Sequence, residues 1–316
     1  MNALWLEGQR LTLRTDWPAP APPPGEVLVR VLKAGICNTD VELTRGYYPF
    51  KGILGHEFVG TVESAGEWHG ARVCGEINAA CGHCEQCRAG RRTHCDNRTV
   101  LGILGRNGAF AECLTLPVEN LHRVPAEVGD EAAVFTEPLA AAFEILEQVP
   151  IAPDNVVYVV GDGKLGNLCA QVIATTGCRL TVLGKHDNKL ALLVARGIRT
   201  THMSHPPSAR ADVVVECTGS PLGFDFARNL LRPRGTLVLK STYAGKLSVD
   251  MSRVVVDEVQ IVGSRCGPFP RALAALAKRE VEVQPLIHAR YPLREALAAM
   301  QHAQKPGVLK VLLEIG

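Results

Sequence analysis

The sequence carries almost no net charge: 34 lysines and arginines against 32 aspartates and glutamates leave +2 over 316 residues. A protein that grips nucleic acid by its phosphates needs a basic excess or stripe, so this balance speaks against such a partner. Long apolar runs are missing too. No stretch approaches eighteen uncharged apolar residues, which excludes a membrane-spanning helix. The opening "MNALWLEGQRLTLRTDW" places charges where a secretion signal needs an apolar segment. There is no internal repeat, and no low-complexity tract beyond "PAPAPPPG", an extended approach to a strand. The expectation is a cytoplasmic, two-domain protein whose partner is a small molecule, with no nucleic acid and no membrane.

What the chain does have is cysteine, 11 in all. In a reducing compartment a dense cluster points to metal rather than to disulfides. Cys81, Cys84, Cys87 and Cys95 follow C-x2-C-x2-C-x7-C within "CGHCEQCRAGRRTHC". Four thiolates fill a tetrahedral zinc sphere and leave no open position, so ligand count alone makes this a structural zinc. An iron–sulfur cluster is the soft-ligand competitor, but the segment lacks a Cys-Pro ending. Polar neighbours with little apolar between them leave the metal to order the lobe. Cys74, Cys113, Cys169, Cys178, Cys217 and Cys266 stand mostly in apolar surroundings and read as packing residues.

Upstream, "PPPGEVLVRVLKAGICNTDVEL" opens on Pro and Gly and alternates like a strand, with Gly35 breaking the run before Cys37. "GILGHEFVGTV" puts His56 and Glu57 ahead of a second strand. Farther on, "NVVYVVGDGKLGNLCAQVIATTG" reads as an apolar strand, a glycine turn and an apolar helix. Its Gly161, Gly163 and Gly166, with Lys164 and Leu165 between them, fit the dinucleotide-binding G-x-G-x-x-G.

The ordered set "PPPGEVLVRV", "GICNTD", "GHEFVGTV", "CGHCEQCRAGRRTHC", "GAFAE", "TEPLA" and "GDGKLG" resembles the zinc-dependent medium-chain alcohol dehydrogenase superfamily, closest to its polyol and threonine dehydrogenase branch. The resemblance spans nearly the whole chain. It implies an α/β fold, a Rossmann doubly wound parallel sheet domain plus a β-rich GroES-like catalytic domain. It also implies a homodimer or homotetramer and two Zn2+ per chain. By this resemblance Cys37, His56 and Glu137 are the firmer ligands of a catalytic zinc. Glu57 is a further ligand exchangeable against water, since a second carboxylate would make the site net negative, its alternative being an ion pair with a nearby Arg or Lys. Thr39 takes the position of the relay hydroxyl, its alternative being to cap the helix that follows. Where the polyol branch commonly carries histidine, this chain has Glu42, which weakens any transfer of polyol specificity.

The strand "RLTVLG" ends in Gly184, where an acid would bind the ribose 2′-OH of NAD and repel a 2′-phosphate. Lys185 and His186 follow. NADP(H) is therefore the expected cofactor, with NAD(H) the alternative, and Asp187 caps the next helix. Later strands in "ADVVVECTG", "GTLVLKSTYAG" and "VQIVGSRCGPF" bring Thr218 and Arg265 to the cofactor. Lys240, Ser241, Thr242 and Arg265, with Glu42, Tyr47 and Tyr48, hint at a hydroxylated or anionic substrate. The domain reading is residues 1–137 catalytic, 138–282 nucleotide-binding and 283–316 returning to the first. The activity expected is alcohol oxidation or carbonyl reduction. A zinc-free quinone or enoyl reductase and a non-catalytic NADP(H) sensor stand as competing readings.

Overall fold

The computed structural model describes residues 1–242 and 247–316. The chain divides into two compact units: Met1–Glu137 with Ala272–Lys278 and Leu286–Gly316, and Pro138–Arg271 with Arg279–Pro285. No helix among the described residues is long and apolar enough to cross a membrane.

The first unit is built on the strand Glu26–Gly35. Its alternation sends Val27, Val29 and Val31 into the core. One edge of this strand is taken by Cys113–Pro117 along its first half and by Lys310–Glu314 along its end. Its other edge pairs antiparallel with Glu57–Val62. The register sets Gly35 opposite both Glu57 and Leu312. Three chain segments far apart in sequence thus meet where this strand ends. The tail forms the expected strand, helix and strand, Ile287–Pro292, Ala296–Ala303 and Lys310–Glu314, the two strands lying parallel.

The second unit holds a six-stranded sheet, ordered Arg199–His202, Arg179–Gly184, Val156–Val160, Ala211–Glu216, Leu231–Leu239 and Gln260–Gly263. Every pairing is parallel. Numbered along the chain this is the 3-2-1-4-5-6 order of a doubly wound nucleotide fold. Buried on both faces, its strands are near-continuous runs of Val and Leu, with Val157, Val159, Val160, Val214, Val215, Leu237 and Val238 fully enclosed. The expected strand within "GTLVLKSTYAG" ends at Leu239, and Tyr243, Ala244 and Gly245 lie outside the described residues. Asp187 is the first residue of the helix Asp187–Val194 and His186 its cap, which corrects the capping role expected of Asp187.

Candidate functional site

Where the Glu26–Gly35 strand ends, Cys37 caps the short helix Asn38–Thr44. Its Sγ, a ring nitrogen of His56 and a carboxylate oxygen of Glu57 all lie within 4.8 Å of one another. His56 and Glu57 are buried and Cys37 is half-buried. Asp40 stands behind them with no exposed surface. Its Oδ2 accepts from the Cys37 amide at 2.8 Å and its Oδ1 from the Gly55 amide at 3.2 Å, and Oδ1 also lies 3.2 Å from His56 Nδ1. That last contact is an electrostatic one rather than a directed hydrogen bond. Burial alone would depress the His56 pKa, but the charges of Asp40 and Cys37 outweigh it and hold it well above the ordinary histidine value.

Glu57 has two unlike oxygens. Oε2 accepts from Lys310 Nζ in a buried ion pair, and Nζ also lies 5.3 Å from the Phe135 ring centroid. Oε1 is buried and has no hydrogen-bond partner among the described residues. A buried carboxylate oxygen without a donor is costly, and a cation shared with the thiol and imidazole would satisfy it. One thiolate, one imidazole and one carboxylate make a zinc donor set of three protein ligands. Glu137, in the first turn of the helix Thr136–Gln148, is not in this three-residue cluster. Lys310 is the lysine of the ion-pair alternative for Glu57, and its ammonium balances the second negative charge. The signal for it was a lysine inside the apolar run "VLKVLLEIG". Thr39 lies in the helix's first turn, its Oγ1 accepting from Cys37 Sγ at 3.7 Å. The cap position belongs to Cys37, with Asp40 completing it.

The second cluster is the expected one. The sulfurs of Cys81, Cys84, Cys87 and Cys95 also lie within 4.8 Å of one another. Cys84 Sγ is 3.5 Å from Cys87 Sγ and 3.8 Å from Cys95 Sγ. The edge of a tetrahedron with Zn–S bonds of about 2.3 Å is about 3.8 Å, so these sulfurs fit that ion. Backbone amides of Cys81 and Asn97 each donate to Cys95 Sγ at 3.3 Å. The His83 amide is the main influence holding Cys81 down to about 6, whereas burial and neighbouring sulfurs push Cys87 up to about 12. Ionisation of Cys87 beside the other sulfurs therefore calls for a cation. By contrast burial pushes the isolated Cys74 thiol up to about 12, as suits a packing residue.

In the second unit the glycine turn joins the Val156–Val160 strand to the helix Lys164–Ala174, whose cap is Gly163. A Cβ on Gly161 would stand 2.7 Å from Cys217 O, and one on Gly166 would stand 2.1 Å from Gly161 O. Only glycine permits both approaches, and amides at this helix start face where a pyrophosphate sits in such folds. Lys164 and Leu165 form the helix's first turn. Thr218 abuts Gly161 and donates through its amide and its hydroxyl to Glu216. Gly184 ends its strand, and Lys185 and His186 are tied through their amides to Asp162. Arg265 follows the last strand of the sheet.

The residues expected to face substrate are less available. Lys240 is buried and donates to Ala141 O at 2.6 Å, Ser264 Oγ at 3.2 Å and Arg265 O at 3.3 Å, so its charge is used internally. Ser241 Oγ accepts from the Gly219 amide, and Glu42 pairs with Arg45 at 2.8 Å.

With this geometry in place, likeness to known proteins is informative. Residues 23–126 match the alcohol dehydrogenase GroES-like domain and residues 164–279 the zinc-binding dehydrogenase family. The sorbitol dehydrogenase of Halalkalibacterium halodurans is 30% identical over 322 residues, spanning 94% of this chain and 93% of its own. The L-threonine 3-dehydrogenase of Deinococcus deserti is 30% identical over 315 residues, 91% of each chain. A proposed zinc-binding dehydrogenase from Sinorhizobium meliloti 1021, solved with NADP bound, superposes with a TM-score of 0.89 at 28% identity, covering 99% of this chain and 98% of that one.

Proposed function

The chain belongs to the zinc-dependent medium-chain alcohol dehydrogenase superfamily, in the branch of the polyol and threonine dehydrogenases, and from that premise we propose that it transfers hydride between a hydroxylated small molecule and NADP(H). The single observation that carries the catalytic part is the convergence of Cys37, His56 and Glu57, whose Oε1 is buried without a hydrogen-bond partner among the described residues. In this reading these three residues hold the catalytic zinc, with Glu137 approaching from its helix, and the four cysteines of the lobe hold the second zinc. Bound there, zinc supplies Lewis acidity toward the substrate oxygen. Asp40 orients His56, Lys310 balances Glu57, and the Thr39 hydroxyl receives the proton that the substrate hydroxyl gives up.

NADP(H) is favoured because Gly184 stands where a ribose-binding acid would stand, with Lys185 and His186 next to it. Gly161, Gly163 and Gly166 with Lys164 and Leu165 receive the pyrophosphate, and Thr218 and Arg265 complete the cofactor's surroundings. On this reading the protein works in the cytoplasm, where thiols gathered to hold metal stay reduced. It assembles as a homodimer or homotetramer, a reading supported by the open edge strand Gln260–Gly263 with Ile261, Val255 and Val256 exposed near it.

The test is an NADP-coupled screen of polyols, sugars, hydroxy acids and amino-acid alcohols with the zinc-replete enzyme, alongside metal analysis. NADPH formation with one class and two zincs per chain are expected. Two zincs with no turnover of any class would overturn the reading of the substrate as a hydroxylated small molecule.

A further inference from the structure

The residue between the first two glycines of the phosphate turn is Asp162, and it is 7% exposed. Its Oδ2 accepts from the Lys185 amide at 2.6 Å and the His186 amide at 2.7 Å. His186 Nδ1 lies 3.0 Å from both of its oxygens. Burial works against the charge of Asp162, but the His186 ring and the two amides outweigh it and hold the carboxyl below its ordinary value. The carboxylate therefore accepts from the ring, which fixes the Nδ1–H tautomer and leaves Nε2 as the outer nitrogen. The His186 side chain is 45% exposed.

The same carboxylate blocks position 184. A Cβ on Gly184 would stand 2.6 Å from Asp162 Oδ2, 2.7 Å from Asp162 Cβ and 2.7 Å from Leu190 Cδ2. An acid cannot be mounted at the end of this strand while Asp162 is in place. Nor is Asp162 open to a ribose in place of that acid: it is buried, Oδ2 accepts both amides and the His186 ring faces both oxygens. One residue thus removes the group that selects NAD and holds two basic residues at the head of the next helix. A 2′-phosphate reaching Nε2 would meet a ring whose other nitrogen faces the Asp162 carboxylate.

We propose that Asp162 is the positioning residue for cofactor choice, shaping the turn at residues 184–186 to accept a 2′-phosphorylated dinucleotide. This rests on the NADP(H) reading above and assigns the device behind it.

The experiment compares KM and Kd for NADP and for NAD across four proteins, each checked by thermal melting: wild type, D162N, G184D and the double variant D162G/G184D. In D162N the ratio of KM for NADP to KM for NAD is expected to rise about tenfold, the scale of one lost charge-assisted hydrogen bond. G184D alone is expected to weaken both cofactors. The double variant, which leaves only the terminal methyl of Leu190 to give way to the new acid, is expected to recover NAD binding and to move the preference toward NAD by about a hundredfold. A wild type that prefers NAD overturns the NADP(H) reading and this inference with it. A wild type that prefers NADP, with a ratio D162N leaves unmoved, overturns the role of Asp162 alone. G184D binding NAD as well as the double variant does would overturn the argument from space.

Discussion

Lys310 Nζ and Glu57 Oε2 form an ion pair in which each side chain is about 1% exposed, across 253 positions of sequence. Removing one partner of such a pair leaves a buried charge alone, at about 3–5 kcal/mol. Lys310→Met is accordingly expected to lower stability by that amount in urea unfolding of the zinc-free protein, where no cation compensates Glu57. In the same zinc-free comparison the double variant Lys310→Met with Glu57→Gln should recover a large part of it, because neither charge then remains. An unchanged unfolding midpoint for Lys310→Met would show that the pair does not support the fold.

Replacing Cys84 with Ser separates the two metals. The lobe has little apolar material of its own: none of its helical residues Glu85–Arg88 is buried, and order there depends on four sulfurs. Cys84→Ser should lose one zinc of two and show a lower Tm, while the turnover of the protein that remains folded changes little. A stable variant that keeps both zincs but turns over nothing would contradict a purely structural lobe.

These two candidate metal sites are unequally legible in the sequence. The lobe's four cysteines lie within fifteen positions, so local spacing suffices to pair them with one ion. The other cluster depends on register: Gly35 opposite Glu57 and Gly35 opposite Leu312 are facts of strand pairing, which brings Lys310 to a site no spacing rule connects with it. Resemblance points to Cys37, His56, Glu57 and Glu137, but only the strand register shows that the basic partner open to Glu57 is Lys310. Asp40 is adjacent to Thr39 in "CNTD" and was passed over because it only contacts the ligand residues from behind. The strand, glycine-turn, helix pattern of the nucleotide unit was readable because each piece is local. The carboxylate of Asp162 meeting the far end of the next strand was not.

Acid should loosen the Glu26–Arg106 contact. Arg106 donates to Glu26 through both terminal nitrogens, at 2.8 and 2.7 Å, with both side chains mostly buried. Burial alone would raise the Glu26 pKa, but the guanidinium more than reverses this and holds it below the ordinary 4.5. A carboxyl whose folded pKa is lowered gives stability that is complete above its unfolded value and fades as pH falls through the folded one. Arg106→Gln is therefore expected to be less stable than wild type by about 2 kcal/mol at neutral pH. The gap should narrow below about pH 4.5, where Glu26 starts to take up its proton in the unfolded chain. A gap that stays constant from pH 7 to pH 3 in parallel denaturation series would assign the loss to packing instead.

Asp40 gives the sharpest test of the candidate catalytic site, because it is fully buried and holds the Cys37 amide, the Gly55 amide and the His56 ring at once. Asp40→Asn keeps the shape but removes the charge that faces the imidazole. Partners of this kind tune ligand basicity and ring orientation, and their loss weakens a metal by about 10–100-fold. The expected outcome is zinc loss from one site at chelator concentrations that leave wild type intact, with activity falling in step and returning on added zinc. The lobe zinc should be retained, which metal analysis reads directly. If both zincs stay bound under the same challenge while activity falls, Asp40 acts on the chemistry without governing the metal, and the proposed chain from Asp40 through His56 to the ion fails.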